Sequence, residues 1–182
     1  MLLFSNKNNF FIFKSFIFNS FYICRMKIKL LAIGKTDDKN LQTLIDTYQN
    51  RLKHYINFEI DIIPDLKKVK NLSEQEQKEK EGDLILKKLA PTDVLILLDE
   101  KGKEFRSLDF SNYLQKKMNA GIKQLVLVIG GPYGFSDAVY KTAQGKISLS
   151  KMTFSHQMIR LFIVEQIYRA FTILKNEPYH HE

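Results

Sequence analysis

The chain reads as an α/β protein, a three-layer sandwich built on a mostly parallel sheet of about five strands. Two observations carry that reading. Short β-rich apolar runs alternate with longer stretches of helical spacing, and strands separated by helices pair in parallel. One run, Gln124–Ile129 (QLVLVI), is apolar throughout in the manner of a buried strand and opens directly into Gly130-Gly131-Pro132-Tyr133-Gly134.

From Met26 the elements follow in order. Lys27–Ile33 is a β-rich run closed by Gly34. Asn40–Tyr55 has helical spacing through Leu41, Leu44, Ile45, Tyr48 and Leu52. Phe58–Ile63 is a strand stopped by Pro64. Leu66–Glu81 is dense in charge and predicts a mobile loop leading into a solvated helix. That helix opens at the capping-box pattern Ser73-Glu74-Gln75-Glu76 and runs to about Leu89, weakened by Gly82. Val94–Leu98 is a fully apolar strand ending at Asp99. Ser107–Ala120 is a helix with Gly121 as its stop. After Gln124–Ile129 come a short helix near Ser136–Ala143, a strand at Lys146–Leu149 and a long helix from Ser155 to Lys175. In that last helix Met158, Ile159, Leu161, Phe162, Ile163, Val164, Ile167, Tyr168, Ala170, Phe171, Ile173 and Leu174 leave almost no polar face. A helix apolar all round must be covered on every side, which in a small domain predicts a homodimer through this helix.

Residues 1–25 do not match the rest. They hold seven of the 14 Phe, no acidic residue, and Cys24, the single cysteine. Lys14 and the Asn residues interrupt the apolar stretch, no small-residue cleavage site follows, and Phe21-Tyr22-Ile23 does not suit a lipoprotein signal. The expectation is an over-extended start, with 26–182 a single domain that begins at Met26. That domain has no cysteine, which excludes disulfides, thiolate metal sites and a Cys nucleophile, and fits a cytoplasmic protein. No clustered metal-ligand set is visible. The net charge is +8 over the whole chain and stays positive without residues 1–25, which favours an anionic partner such as nucleic acid. Lys27, Lys29, Lys35, Lys101, Lys103 and Arg106 are the candidate contacts, each weighed against a merely solvated charge.

Two loops draw the functional argument. Both leave the same edge of the predicted sheet, where α/β proteins place small ligands. Gly130–Gly134 lacks the Lys-Ser/Thr of a P-loop and the Gly-x-Gly-x-x-Gly of a dinucleotide fingerprint. It is either a tight turn or a place where backbone approaches a flat ligand closely. Ser150–Arg160 is either a helix start capped by Thr153 or Ser155, or a loop holding a ligand, with His156 and Arg160 on one helical face. His54 reads as a surface residue. The phosphate-binding loop that a flavodoxin-like domain needs after the first strand is not supplied by Gly34-Lys35-Thr36-Asp37.

The run KIKLLAIGK, Leu98-Asp99 before Lys101-Gly102-Lys103, IGGPYG, LSKMTFSHQMIR, EQIYRA and the ending PYH together resemble the RlmH family of the SPOUT methyltransferases, across essentially all of the chain beyond Arg25. The resemblance implies a C-terminal trefoil knot, an exception to the usual unknotted chain. It implies S-adenosylmethionine bound in the knot by Leu98, Gly130, Leu149, Ser150, Lys151, Met152, Thr153 and Phe154. It also implies methylation of N3 of a pseudouridine in large-subunit rRNA on the assembled ribosome. The candidate catalytic residues are His156, Arg160, Tyr179 and His180, the tail reaching a partner's pocket in the dimer and Arg160 holding a phosphate or the cofactor carboxylate. Ser155 stands where the family often has Pro, and His181 where Arg or Lys is common. A non-catalytic RNA-binding protein on the same fold is the alternative; it predicts a damaged cofactor loop, and Gly130 with Leu149–Phe154 is intact.

Overall fold

The computed structural model describes residues 26–66 and 72–181. The expectations for residues 1–25 therefore lie outside the described residues, as does part of the loop expected after Leu66. Five strands, β1 (Lys27–Ile33), β2 (Asn57–Ile63), β3 (Val94–Glu104), β4 (Gln124–Ile129) and β5 (Gly145–Ser148), alternate with five helices. These are α1 (Lys39–Leu52), α2 (Glu74–Lys87), α3 (Ser107–Asn119), α4 (Asp137–Thr142) and α5 (His156–Leu174). The sheet has the order β2-β1-β4-β3-β5 and every pairing is parallel. The α/β reading of the sequence is borne out.

Alternation along the strands divides the core between two faces. Ile28, Leu30, Ala32, Leu125, Leu127 and Ile129 pack under α1, α3 and α5, whereas Leu31, Ile33, Leu95, Leu97, Val126 and Val128 pack under α2 and α4. Strands covered on both sides need apolar residues at every position, which is why QLVLVI shows no alternation of its own. Helix starts follow the side chains that cap them. Asp38 accepts from the amides of Asn40 and Leu41, and Ser73 with Glu76 forms the expected capping box. Gly121 follows α3 at φ 72°, the left-handed stop that its sequence position indicates.

Two local expectations are corrected. β3 does not end at Asp99. Ile147 of β5 pairs with both Leu98 and Lys103, so 99–102 arches out of the ladder and the chain rejoins it as far as Glu104. Gly102 at the top of that arch lies against the β5 backbone, where a Cβ would stand 2.5 Å from the carbonyl carbon of Ile147. Helix α2 is not a solvated helix throughout, because Glu81, Gly82 and Ile85 are buried on the second face. Gly82 does not weaken it so much as permit contact: a Cβ there would stand 2.2 Å from Ser136 Oγ.

Candidate active site

Parallel strands place their carboxyl ends on one edge, and there the arch at 99–102 of β3 and the loops after β4 and β5 converge. They enclose a cleft of about 480 Å³. Leu98, Gly130, Leu149, Ser150, Met152, Thr153 and Phe154 line it, together with His156 from the start of α5. Of the residues expected around the cofactor, Lys151 alone points away, exposed to solvent.

The glycine loop is shaped by its own backbone. The Gly134 amide donates to the Gly131 carbonyl at 3.1 Å, and Gly134 sits at φ 81°, a region costly for a residue bearing a Cβ. At Gly130 a Cβ would come within 3.0 Å of the buried Phe135 ring, so the bare backbone faces the cleft between ring and ligand space. The loop after β5 folds by side-chain capping. Ser148 Oγ donates to the Ser150 carbonyl at 2.8 Å, and Ser150 Oγ accepts from the Met152 amide at 2.9 Å. Between the two capping choices left open by the sequence, Ser155 takes the role, accepting from the Met158 amide at 3.3 Å. Met152 is held out into solvent at 74% exposure, an apolar side chain at the mouth of the cleft.

His156 and Arg160 share a helix face but not an environment. Burial of the imidazole and the nearby Arg160 charge lower the His156 pKa, against a hydrogen bond to the Gly130 carbonyl that raises it. The residue is exposed beside the cleft, and its lowered pKa favours the neutral ring. Arg160 is 2% exposed and committed elsewhere. Its Nη1 donates to Thr36 Oγ1 and its Nη2 to the Ile33 carbonyl, both at 2.8 Å. Gln157 adds to the same junction, Oε1 accepting from the amides of Asp37 and Asp38. The first turns of α5 thus staple the β1–α1 turn, and Arg160 does not line the cleft.

Tyr179 lies against α1 and α5, with His180 following it. Asn176, at φ 54°, turns the chain back after α5. Tyr179 Oη donates to Glu165 at 3.0 Å and stands 3.3 Å from Tyr48 Oη; its ring packs edge-on against Tyr168 under the Arg169 guanidinium. Burial and these partners raise its pKa, so the phenol keeps its proton. His180 Nε2 is buried without a hydrogen-bond partner among the described residues. Glu165 and Tyr168 are 9 and 12 residues past His156, about 14–18 Å along the helix, so the tail does not reach its own cleft.

Sequence reasoning passed over Asp99, Tyr140 and Glu74, which also line the cleft. Tyr140 Oη donates to Asp99 Oδ2 at 2.5 Å, tying α4 to the end of β3. These residues come from β3, α4 and α2, and only the tertiary fold brings them together. Among the basic candidates, Lys101 lines the cleft, whereas Lys27 and Lys29 both pair with Glu59, at 2.6 and 3.4 Å. Among the described residues no group of three or more His, Cys, Asp or Glu is placed to hold a metal, and no helix is long and apolar enough to cross a membrane.

A family model described as a predicted SPOUT methyltransferase matches residues 26–180. The chain belongs to the SPOUT methyltransferase family. The RlmH resemblance is borne out by similarity to proteins named ribosomal RNA large subunit methyltransferase H. The protein of that name from Flavobacterium psychrophilum is 73% identical over 157 residues, 86% of this chain and 100% of that protein. Those from Flavobacterium johnsoniae and Porphyromonas gingivalis are 71% and 55% identical over the same shares. A solved structure of a probable methylase family protein from Haemophilus influenzae covers 84% of this chain and 66% of its own, with a TM-score of 0.45 and 12% identity, too distant to carry an argument.

Proposed function

We propose that this chain is a large-subunit rRNA methyltransferase that moves the methyl group of S-adenosylmethionine to N3 of a pseudouridine, acting on assembled ribosomes as a cytoplasmic homodimer. The observation that carries the reading is the cleft itself, built by the glycine loop and the Leu149–Phe154 loop at the carboxyl edge of the sheet. Its 480 Å³ lies within the range of about 300–1,000 Å³ usual for cofactor-sized ligands. Glycine at 130 keeps the Phe135 ring and the Gly134 carbonyl packed close behind the backbone that lines the cleft, where a Cβ would push them apart. The trefoil knot belongs to the same reading, as the family implies it for the C-terminal part.

S-adenosylmethionine supplies an electrophilic methyl on a sulfonium, so the protein's share of the work is orientation, water exclusion and removal of the N3 proton. Leu98, Gly130, Leu149, Ser150, Met152, Thr153 and Phe154 would hold the donor. His156, with one ring nitrogen bonded to the Gly130 carbonyl and its pKa lowered, stays neutral and can take a proton at the other nitrogen. Tyr179 keeps its phenolic proton, which it donates to Glu165, and so presents a fixed, neutral ring. With His180 it stands too far from its own cleft, so it acts at the cleft of a second copy.

The outward stripe of α5 supports that dimer. Phe162 is 36% exposed and Phe154 packs on it at a centroid distance of 4.9 Å, so the apolar stripe runs up to the cleft mouth. Aromatic side chains left in water beside a cleft are what an interface covers. The test is transfer of labelled methyl from S-adenosylmethionine to intact ribosomes and to naked rRNA. Label at one large-subunit pseudouridine, with ribosomes the better substrate, is the expected result. Absence of both label and cofactor binding would refute the assignment and favour a non-catalytic RNA-binding role.

A further inference from the structure

Helix α2 approaches the glycine loop at two consecutive residues, and each contact exists only because one partner is glycine. Gly82 leaves room for Ser136, whose hydroxyl caps α4 by accepting from the Val139 amide. Gly131 leaves room for Glu81: a Cβ there would stand 2.1 Å from Glu81 Oε2 and 2.7 Å from its Cδ. One turn of α2 therefore packs on the glycine loop at Gly131 and on the start of α4 at Ser136. Glu81 is 3% exposed. Its Oε1 accepts from Gln77 Nε2 at 2.8 Å, while Oε2 is buried with no hydrogen-bond partner among the described residues.

A carboxyl oxygen is costly to bury unsatisfied, and simple filling of that space would be done better by an apolar side chain. The atom lies against the backbone of the loop that lines the cleft. We propose that Glu81 is a positioning residue for the methyl-donor cleft: its Oε2 hydrogen-bonds the backbone of the Gly130–Gly134 turn when the donor binds, and so fixes the shape of that turn. The inference rests on the reading of the cleft as the S-adenosylmethionine site. Burial and the neighbouring Asp65 carboxylate raise the Glu81 pKa, against the opposing effect of Gln77. That environment favours the protonated acid, the form in which Oε2 would donate to a loop carbonyl. A neutral carboxylic acid of this kind has glutamine as its close isostere, with the amide NH2 taking the place of the hydroxyl.

The test uses the full-length protein as wild type, Glu81→Gln and Glu81→Leu. Calorimetry measures S-adenosylmethionine binding and thermal unfolding measures folding. Glu81→Leu is expected to weaken binding at least about tenfold, the loss of one hydrogen bond involving a buried acid, with a melting temperature at or above that of wild type. Glu81→Gln is expected to stay within about threefold of wild type. In methyl transfer the Leu variant should raise KM for the donor far more than it lowers kcat. If Glu81→Leu does not fold, Glu81→Ala takes its place in the same comparison. Equal affinity of wild type and Leu variant would overturn the inference and leave Glu81 as filling. A Gln variant as weak as Leu would overturn the hydrogen-bond role. Wild type that binds no S-adenosylmethionine would instead sink the cofactor reading, and the inference with it.

Discussion

Replacing Gly102 with Ala tests the crossing of β3 and β5 at its tightest point. The added Cβ would stand 2.5, 2.6 and 2.7 Å from the Ile147 carbonyl carbon, the Ile147 nitrogen and the Ser148 nitrogen, where ordinary contact is 3.4–4 Å. All three atoms are backbone, so no rotamer change relieves the overlap; the arch or β5 must move. Overpacking by one methyl costs about 1–3 kcal/mol, and a clash with three backbone atoms of a paired strand belongs at the top of that range. For a chain of this length about 3 kcal/mol lowers the melting temperature by roughly 6–12 °C. Leu98 and Ile147 both line the cleft, so affinity for S-adenosylmethionine falls as well. Gly121→Ala is the internal comparison. It meets nothing within 4 Å, but its φ of 72° is left-handed, so it loses about 1 kcal/mol through backbone strain and leaves binding unchanged. Thermal unfolding followed by circular dichroism, with calorimetric titration of the cofactor, reads both variants. A Gly102→Ala protein melting within about 3 °C of wild type would refute the packing argument.

Three further outcomes follow from the geometry. Arg160→Met removes the donors to Thr36 and the Ile33 carbonyl and should destabilise the protein by about 2–4 kcal/mol, seen as an earlier denaturant midpoint; unchanged stability with lost cofactor binding would show that the residue serves the ligand instead. His156 is held below its usual 6.5, so the unfolded chain takes up its proton first. Stability from this group is full above pH 6.5 and is lost as pH falls through that value towards the folded pKa, and His156→Gln should flatten the melting-temperature profile between pH 7.5 and 5 (about a 2.5-unit window). Phe162→Asp places a charge on the outward stripe of α5 and should convert a dimer to monomer in sedimentation, with methyl transfer lost and folding kept; a variant that sediments as wild type does would exclude α5 as the interface.

Much of the site was legible before any fold was known. QLVLVI followed by Gly130–Gly134, and the polar loop before α5, were local patterns, and both line the cleft. Arg160 was legible as a helical neighbour of His156 but not as a structural residue. Its spacing was local, whereas its partners, Thr36 and Ile33, lie 124 and 127 residues away. Glu81 read as one more charge in a charged helix. Its neighbour Gly82 was the only local hint of a close approach, and a glycine inside a helix does not specify which distant residue will pack against it.

By itself the sequence determined the kinds and order of the elements, their caps and stops, and which loops carry bare backbone, because each depends on interactions a few residues apart. The strand order decided the rest. Putting β3 between β4 and β5 drew Gly102 onto β5, Tyr140 to Asp99 and α2 onto the glycine loop. Those contacts join residues far apart in the chain, and no periodicity within a single segment encodes which distant segment its bare face will meet.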